Sequence, residues 1–229
     1  MNWLDQLNEE QAQAVTHAGG PLLILAGAGS GKTRVLTYRI CYLLATGTAP
    51  WEILAVTFTN KAAAEMKRRV EELVGDVEDL WIGTFHSICV RILRREGKQL
   101  GLPSNFLIYD TTDQLGVVRE CLTELNLDQK RYEPRLILQT ISSAKNELIG
   151  PEKYREEADG FWTNTIATVY ARYQEKLLAN GALDFDDLLT YTVKLFQEHP
   201  DVLEQYQRRW RHILVDEYQD TNHVQYVLV

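Results

Sequence analysis

Cysteine and histidine patterns typical of metal or disulfide sites are lacking. Only three cysteines occur, Cys41, Cys89 and Cys121, far apart and with no CxxC pair. An odd number at such spacing argues against a disulfide framework, so we interpret them as small apolar core residues. The five histidines form no HxxxH or HExxH pattern. Zinc sites usually carry such spacings, and the sequence therefore gives no reason to expect zinc.

Long apolar runs are also missing. None approaches the ~20 residues that a membrane-spanning helix needs. The polar, acidic start MNWLDQLNEEQ is unlike a secretory signal peptide. With 45% hydrophobic and 24% charged residues in 229, the composition is that of a globular protein with one large domain, or a core domain carrying a smaller one. We therefore expect a cytoplasmic protein without a membrane anchor.

Positive charge is in deficit overall, but not evenly. The net charge is −8, which at first argues against a nucleic-acid partner. Up to residue 105, however, 11 basic residues balance 11 acidic ones, and the whole deficit lies in the 13 basic and 21 acidic residues that follow. Because a neutral first part can still carry a basic groove, net charge decides little about DNA binding.

Apolar runs alternate with helical patterns in the first 105 residues. The runs at 22–25, 53–59 and 80–85 are each followed by a segment with helical spacing. Such alternation predicts a parallel sheet covered by helices on both faces. Residues 110–181 show only helical patterns, including a T-x-x-Q capping pattern at Thr111 and Gln114 and a helix stop at Asn180 and Gly181. After one more helix, HILVD (212–216) again predicts a buried strand, which we expect to rejoin the first sheet.

The strongest chemical signal is AGAGSGKT at residues 26–33. A P-loop wraps phosphates with backbone N–H groups at a helix N-terminus, while its Lys reaches the phosphates and its Ser or Thr binds Mg²⁺. Gly31, Lys32 and Thr33 fit the last three positions of G-x-x-x-x-G-K-[ST], although Ala26 replaces the first glycine. An expected strand before the loop and an expected helix after it favour phosphate binding over a chance glycine-rich turn.

Two acids supply the second half of such a site. Asp216 would stand at the C-terminal end of the strand formed by HILVD, where open α/β sheets bind their ligands. There it would hold Mg²⁺ directly or through water, and Glu217 would orient and deprotonate the attacking water. Two solvated acids at a strand end are the alternative, which the presence of a P-loop makes the weaker one.

Polar and aromatic residues follow two predicted strands. TFTNK (57–61) contains Thr57, Phe58, Asn60 and Lys61, and GTFHS (83–87) repeats the scheme. Hydroxyl and lysine groups contact phosphates, and an aromatic ring stacks on a base for ~1–3 kcal/mol, so both junctions suit a single-stranded nucleic-acid channel. The alternative is a capped helix with a core phenylalanine. Two junctions at one sheet edge favour the nucleic-acid interpretation.

Six segments together resemble a known family. LNEEQAQAV, AGAGSGKTR, VTFTNKAAAEM, GTFHS, LDFDDLL and VDEYQDTN, in this order, resemble the UvrD/PcrA/Rep-like superfamily 1A DNA helicases. The resemblance covers the whole chain. It implies a P-loop NTPase (RecA-like) subdomain 1A, formed by residues 1–105 and 184–229, and an all-helical inserted subdomain 1B at residues 106–183. It also implies ATP- and Mg²⁺-dependent 3′–5′ movement on single-stranded DNA and unwinding of duplex DNA, in replication or repair.

The resemblance assigns a role to each matching residue. Gln11 is similar to a glutamine that recognises adenine, and Arg34 to an arginine that packs on the base. Lys32, Thr33, Asp216 and Glu217 keep the roles argued above, and the family tolerates alanine at position 26. The implied ATP-binding residues are Gln11, Ala26, Gly27, Ala28, Gly29, Ser30, Gly31, Lys32, Thr33 and Arg34. The implied DNA-binding residues are Thr57, Phe58, Asn60, Lys61, Thr84, Phe85 and His86.

Parts of the family pattern do not occur in this sequence. A further glutamine-containing motif, the second RecA-like subdomain and its arginine fingers follow DEYQDTN in the family. We therefore expect the N-terminal portion of a helicase, inactive by itself because an arginine finger is worth ~10³–10⁵ in rate. Two alternatives stay open: the helicase arm of a helicase-nuclease, and a short nucleotide-dependent DNA-binding module without motor activity.

Overall fold

The computed structural model describes residues 3–27 and 29–229. These residues form two compact units. The first comprises the chain up to Ile88 together with Glu204–Asp220, and the second comprises Cys89–Leu203 with Thr221–Val229. The division at residues 106–183 stays a prediction, since the two units are delimited by contacts alone.

A parallel three-stranded sheet forms the centre of the first unit. Its strands are β1 (Ile53–Thr57), β2 (Trp81–Thr84) and β5 (His212–Val215), in the order β2-β1-β5. Ala55 lies opposite Ile82 on one side and Leu214 on the other. Every residue of β1 is buried, as the continuous apolar pattern predicts for a central parallel strand. The predicted return of the late strand to the first sheet is thereby confirmed.

Helices cover this sheet. In chain order they are α1 (Glu9–Thr16), α2 (Lys32–Ala45), α3 (Asn60–Val74) and the first turn of α4 (Phe85–Glu96). Ile40 of α2, Ile53 of β1 and Met66 of α3 are at most 1% exposed and share one apolar cluster. Each follows the helical or strand spacing of its segment, so the α/β class predicted from the sequence is confirmed.

The strand predicted at residues 22–25 is wrong in this structure. The segment has no regular secondary structure, and Leu22, Leu23 and Leu25 are 47%, 64% and 87% exposed. A strand needs a neighbour to satisfy its backbone hydrogen bonds, and none of the three strands in the described sheet pairs with this segment. The apolar pattern is that of a buried strand, but no pairing partner lies among the described residues.

Helices dominate the second unit. They are α5 (Thr111–Glu124), α6 (Pro134–Asn146), α7 (Pro151–Glu157), α8 (Phe161–Ala179), α9 (Phe185–Glu198) and α11 (His223–Leu228), while α4 and α10 (Pro200–Arg209) cross the boundary between units. The all-helical character of 110–181 is confirmed. Two short parallel strands, β3 (Leu107–Ile108) and β4 (Ala182–Leu183), flank that stretch. Within the predicted helical insertion of 106–183 these two strands are the exception.

One helix start differs from the predicted one. Asp110, not Thr111, caps α5, because its carboxylate accepts hydrogen bonds from the Thr112 and Asp113 amides. The Asp110 amide in turn donates to Asp113 Oδ2, which completes a capping box one residue earlier than predicted. The Gln114 side chain instead donates to the Tyr109 carbonyl at 3.0 Å.

A buried ionic group holds the start of α9; we call Lys145, Asp184 and Asp187 the buried lysine cluster. Lys145 Nζ lies 2.7 Å from Asp184 Oδ2 and 2.7 Å from Asp187 Oδ1, with all three side chains at most 3% exposed. Burial alone would lower the pKa of Lys145, but the Asp187 and Asp184 carboxylates outweigh it and raise that pKa. Burial, despite the opposing effect of Lys145, raises the pKa of Asp187 to about 6.

All three cysteines are buried and unpaired, as predicted. Burial raises the pKa of Cys41 and of Cys89 to about 12, and that of Cys121 to about 11, so the thiols stay protonated near neutral pH. Among the described residues, no helix has the length and apolar character to cross a membrane.

Candidate nucleotide-binding site

A glycine-rich turn leads directly into α2. Gly29 and Gly31 have φ values of 77° and 90°, a region that side chains with a Cβ rarely adopt. Gly31 is the N-cap of α2, and no side chain caps this helix. An uncapped helix N-terminus presents backbone N–H groups and the positive end of the helix dipole to an anion. Ala28, predicted to belong to this loop, lies outside the described residues.

Gln11 fastens the loop to the preceding helix. Its Nε2 donates to the Ser30 carbonyl at 3.0 Å. Its Oε1 and amide complete a capping box with Asn8 at the start of α1. A Cβ on Gly31 would lie 2.9 Å from Gln11 Nε2, so glycine at position 31 permits this close approach as well as the positive φ. The structure thus brings Gln11 to the loop, while its role in adenine recognition stays a prediction.

Lys32 folds back on the loop. Its Nζ donates to the carbonyls of Ala26 at 3.0 Å and Gly27 at 3.4 Å, while the Ser30 hydroxyl donates to the Gly27 carbonyl at 2.7 Å. The loop is exposed, and a Cβ at Gly27 or Gly29 would meet nothing within 4 Å. The ammonium is therefore satisfied by neutral carbonyls, which a phosphate oxygen can replace with a stronger, charge-assisted bond.

The loop and the late strand meet at Thr33 and Asp216. Thr33 Oγ1 lies 3.3 Å from Asp216 Oδ2, although 183 residues separate them in sequence. Asp216 directly follows β5, and its amide donates to the Val56 carbonyl of β1. It is 6% exposed, and burial, together with the neighbouring Glu217, raises its pKa. The sheet edge therefore brings together a hydroxyl and a carboxylate that the sequence predicts as metal ligands.

Glu217 has an unusual backbone. Its φ is 50°, in the left-handed region that non-glycine residues rarely occupy. The Glu217 amide donates to Asp216 Oδ1 at 3.1 Å, and the Gln219 side chain donates to Glu217 Oε2. A short 3-10 helix, Tyr218–Asp220, follows. Non-glycine residues with a positive φ are concentrated at functional sites and switch regions.

Arg34 lies beside a cavity on α2. Its Nη2 donates to Gln6 Oε1 at 3.2 Å, and its guanidinium stands 5.2 Å from the centre of the Tyr38 ring. The cavity has a volume of about 250 Å³ and is lined by Arg34, Thr37, Tyr38, Arg69, Glu72 and Leu73. Sequence reasoning missed Gln6, whose Oε1 also accepts from the Tyr38 hydroxyl at 2.9 Å. No motif marks it, because its partners are 28 and 32 residues away.

The residues at this edge fit a nucleotide with Mg²⁺. A hydroxyl and a carboxylate are hard oxygen ligands, and Mg²⁺ commonly takes only one or two protein ligands besides phosphate and water. The described residues contain no group of three or more His, Cys, Asp or Glu side chains arranged for a metal. The uncapped helix and Lys32 suit the phosphates.

The predicted DNA-contacting residues divide by exposure. Asn60 and Lys61 are exposed at the start of α3, and Phe58 and His86 are partly buried. Thr57, Thr84 and Phe85 are buried, at 1%, 8% and 4% exposure. Phe58 packs edge-to-face on Phe85 with ring centres 5.7 Å apart. The structure therefore brings the two junctions together, with the buried Phe85 ring in contact with the partly buried Phe58 ring.

Thr84 and Thr57 have local hydrogen-bond partners. Thr84 Oγ1 accepts from the Ser87 amide at 3.2 Å, and the Thr57 hydroxyl donates to the Thr59 carbonyl at 3.1 Å. Both hydroxyls thus shape the strand-to-helix turns. A role of either residue in DNA contact stays a prediction.

A phosphate loop at a helix start, in contact with an acid at the end of a strand in a parallel sheet, defines a P-loop nucleotide-binding domain. The match to known families is more specific. Residues 7–229 match the UvrD/REP helicase N-terminal domain, and the chain belongs to this family.

Curated relatives agree with that assignment. The ATP-dependent DNA helicase PcrA of Bacillus subtilis (strain 168) is 58% identical over 228 residues, which are 99% of this chain and 31% of the relative. The protein of the same name from Staphylococcus aureus (strain Mu50) is 54% identical over the same shares. That of Staphylococcus epidermidis is 55% identical over 97% of this chain and 31% of its own length. The chain therefore spans about a third of the relatives it matches.

Proposed function

We propose that this chain is the N-terminal ATP-binding part of an ATP-dependent DNA helicase. The observation that carries the proposal is the contact between Thr33 Oγ1 and Asp216 Oδ2, which joins the phosphate loop and the strand-end acid at one point. Membership of the UvrD/REP family and the printed names of the PcrA relatives support DNA as the partner. The 3′–5′ direction, an action on single-stranded and partly duplex DNA, and a cytoplasmic location are what the family resemblance implies.

In this proposal four side chains carry the reaction. Lys32 leaves the Ala26 and Gly27 carbonyls and binds the β- and γ-phosphates, while the backbone N–H groups at the start of α2 bind the remaining phosphate oxygens. Thr33 and Asp216 would hold Mg²⁺. Glu217 would orient the attacking water and accept its proton, as the bond between the γ-phosphorus and the β–γ bridging oxygen breaks and ADP leaves. When bound, Mg²⁺ neutralises charge on the phosphates.

The proposed base and DNA contacts rest on the family resemblance and are supported by where these side chains lie. Gln11 would recognise adenine from its place on Ser30, and the Arg34 guanidinium would pack on the base beside the cavity. On the DNA side, Phe58 offers a ring for base stacking, and Asn60, Lys61 and His86 supply polar and charged groups for the backbone. Phe85, Thr57 and Thr84 would support these contacts from buried positions.

The decisive experiment uses the complete natural protein that carries these residues. ATP turnover is measured with and without single-stranded DNA, together with unwinding of a 3′-tailed duplex. We expect DNA-stimulated turnover that falls ~10²–10³-fold in Lys32→Ala, as for loss of one preorganised donor. In Glu217→Gln the fall should be ~10²–10⁴-fold, as for loss of a general base.

A matched control is available on the surface of α3. Lys67→Ala removes an exposed lysine paired with Glu71, 3.6 Å away, and should leave turnover unchanged. Absence of DNA-stimulated turnover in the unaltered protein would contradict the proposal. We further propose that this chain alone, at about a third of its relatives' length, hydrolyses ATP negligibly and unwinds nothing. Robust stimulated turnover by the chain alone, lost in Lys32→Ala, is the result that contradicts this second statement.

A further inference from the structure

Three amide and carboxylate side chains form a bridge within the second unit. Asn222, the N-cap of α11, donates from Nδ2 to Asn146 Oδ1 at 2.5 Å. Asn146, the last residue of α6, donates from its own Nδ2 to Asp186 Oδ1 at 3.2 Å, in the first turn of α9. We call Asn222, Asn146 and Asp186 the amide bridge. It connects the starts of α11 and α9 through the end of α6.

Chemistry allows the two amides only one orientation each. Asn222 Oδ1 accepts from the Gln225 amide at 3.0 Å, as an N-cap must, so its Nδ2 is the group left for Asn146. Asn146 Nδ2 faces two acceptors, the Ser142 carbonyl at 2.8 Å and Asp186, so its Oδ1 must face Asn222. Neither amide can be turned round without setting an acceptor against an acceptor.

One end of the bridge is firmly fixed. Asn146 follows Lys145, whose ammonium binds Asp184 and Asp187 on either side of Asp186. Asp184 and Asp187 also form the capping box of α9, since each accepts a hydrogen bond from the other's amide. The end of α6 and the start of α9 are therefore one rigid element, to which Asn222 adds the segment that precedes α11.

The other end follows a turn with a disfavoured backbone conformation. Asn222 stands five residues after Glu217, whose left-handed φ of 50° is disfavoured for a residue with a side chain. A change of Glu217 to the right-handed region would displace the residues that follow it, and hinges are commonly a few loop or element-terminal residues that absorb such a change.

From this we infer that Asn222 is a positioning residue, through which the state of the turn at Glu217 is transmitted by Asn146 and Asp186 to α6 and the first turn of α9. The inference rests on the proposed function, because it requires that nucleotide bind next to Glu217. It assigns a role to residues outside the nucleotide-binding set, and Asn222 need not touch the nucleotide.

Hydrogen exchange in the complete natural protein tests the inference. Amide exchange is compared without nucleotide and with Mg²⁺ plus a hydrolysis-resistant ATP analogue. We expect the analogue to alter exchange at residues 29–35 and also at 184–190. In Asn222→Asp the response at 184–190 should shrink by ~2–10-fold, the effect of one hydrogen bond, while the response at 29–35 persists.

Asn222→Asp is informative because aspartate still caps a helix but cannot donate to Asn146. The matched control is Asp110→Asn, at an N-cap whose carboxylate accepts from the Thr112 and Asp113 amides of its own helix.

The outcomes separate the two proposals. An undiminished response at 184–190 in Asn222→Asp, or no response there in the unaltered protein, overturns the coupling role while nucleotide binding stands. An equal effect of Asp110→Asn also overturns it, since loss of cap geometry anywhere in this unit would then be the cause. Absence of any response at 29–35 in the unaltered protein overturns the proposed function itself.

Discussion

Two groups, each of one lysine and two acidic residues, differ in how far they are buried. One is the candidate nucleotide-binding site, and the other is the buried lysine cluster. At the nucleotide site, Asp216 is buried but Lys32 and Glu217 are reachable, and Lys32 is satisfied by loop carbonyls at 3.0 and 3.4 Å. In the buried lysine cluster, Lys145 is sealed from solvent and bonded to both carboxylates at 2.7 Å. The same residue types hold helices together where the lysine is sealed from solvent, and in our proposal they bind a ligand where the contacts of the lysine can be replaced.

Breaking the buried lysine cluster should have the largest effect. Lys145→Met keeps most of the length of the side chain but leaves the carboxylates of Asp184 and Asp187 buried without a cation. Removal of one partner from a buried ion pair costs ~3–5 kcal/mol, because the remaining charge is uncompensated. We expect a loss of this size in the free energy of unfolding measured in urea. A loss below ~1 kcal/mol would show that water reaches the cluster. Lys145 and Lys32 would then not differ in burial as described above.

Lys32 should behave in the opposite way. With Mg²⁺ and ATP at 100 times the dissociation constant, binding adds ~2.7 kcal/mol to the free energy of unfolding. In Lys32→Ala, at the same nucleotide concentration, we expect most of this gain to vanish. Stability without nucleotide should stay within ~0.5 kcal/mol, because the ammonium contacts only exposed carbonyls. Equal nucleotide-induced stabilisation in the unaltered chain and the variant would contradict this expectation.

The buried lysine cluster should also make the stability of the chain depend on pH, through Asp187. Since the pKa of Asp187 is raised to about 6 in the folded state, the folded chain binds a proton that the unfolded chain releases near pH 4. This contribution to stability is fully present below pH 4 and is lost as the pH rises through 6. Asparagine cannot titrate at this position. Relative to Asp187→Asn, the free energy of unfolding of the unaltered chain should therefore fall by on the order of 2 kcal/mol between pH 4 and pH 7.

The measurement for Asp187 is urea unfolding of both proteins across that pH range. The two proteins are compared by how steeply the free energy of unfolding changes with pH. Its absolute value is not compared, because asparagine also changes the hydrogen bond from Gln174, whose Nε2 lies 3.1 Å from Asp187 Oδ1. Parallel pH profiles would mean that Asp187 is ionised throughout and that Lys145 neutralises it fully.

How much of this was predictable differs between the two sets. The P-loop residues and the strand-end acids are local patterns, with AGAGSGKT and VDE each contained in a few residues. The sequence predicts their meeting from two strands of one parallel sheet, whereas the structure brings Thr33 to Asp216 without a paired strand at residues 22–25. The buried lysine cluster joins residues 39 and 42 positions apart, and periodicity along the chain carries no information on such a pair. In the sequence, the three aspartates of LDFDDLL are the feature that indicates such a cluster. Carboxylates that become buried require a nearby positive charge.

Two errors show where local patterns fail. At residues 22–25 the apolar pattern was that of a strand, but strand formation depends on a neighbouring strand, which is not a property of the segment itself. At the start of α5 the D-x-x-D pattern of Asp110 and Asp113 overlaps the T-x-x-Q pattern of Thr111 and Gln114, and both satisfy the capping rule. Geometry decides for Asp110, whose carboxylate reaches two amides at 2.7 and 2.9 Å.

The smallest effect is expected at a third lysine with two acids, which isolates burial as the cause of the contrast. Lys176 Nζ lies 2.7 Å from Glu124 Oε1 and 3.2 Å from Glu120 Oε2, distances like those of Lys145, but the side chains of Glu124 and Glu120 are 42% and 66% exposed. Water solvates these carboxylates when the lysine is removed, and exposed pairs contribute little. Lys176→Met should therefore shift the melting temperature by no more than ~3 °C, whereas Lys145→Met should shift it several times further. Similar shifts for the two variants would mean that pairing geometry, and not burial, sets the worth of a lysine with two acids in this fold.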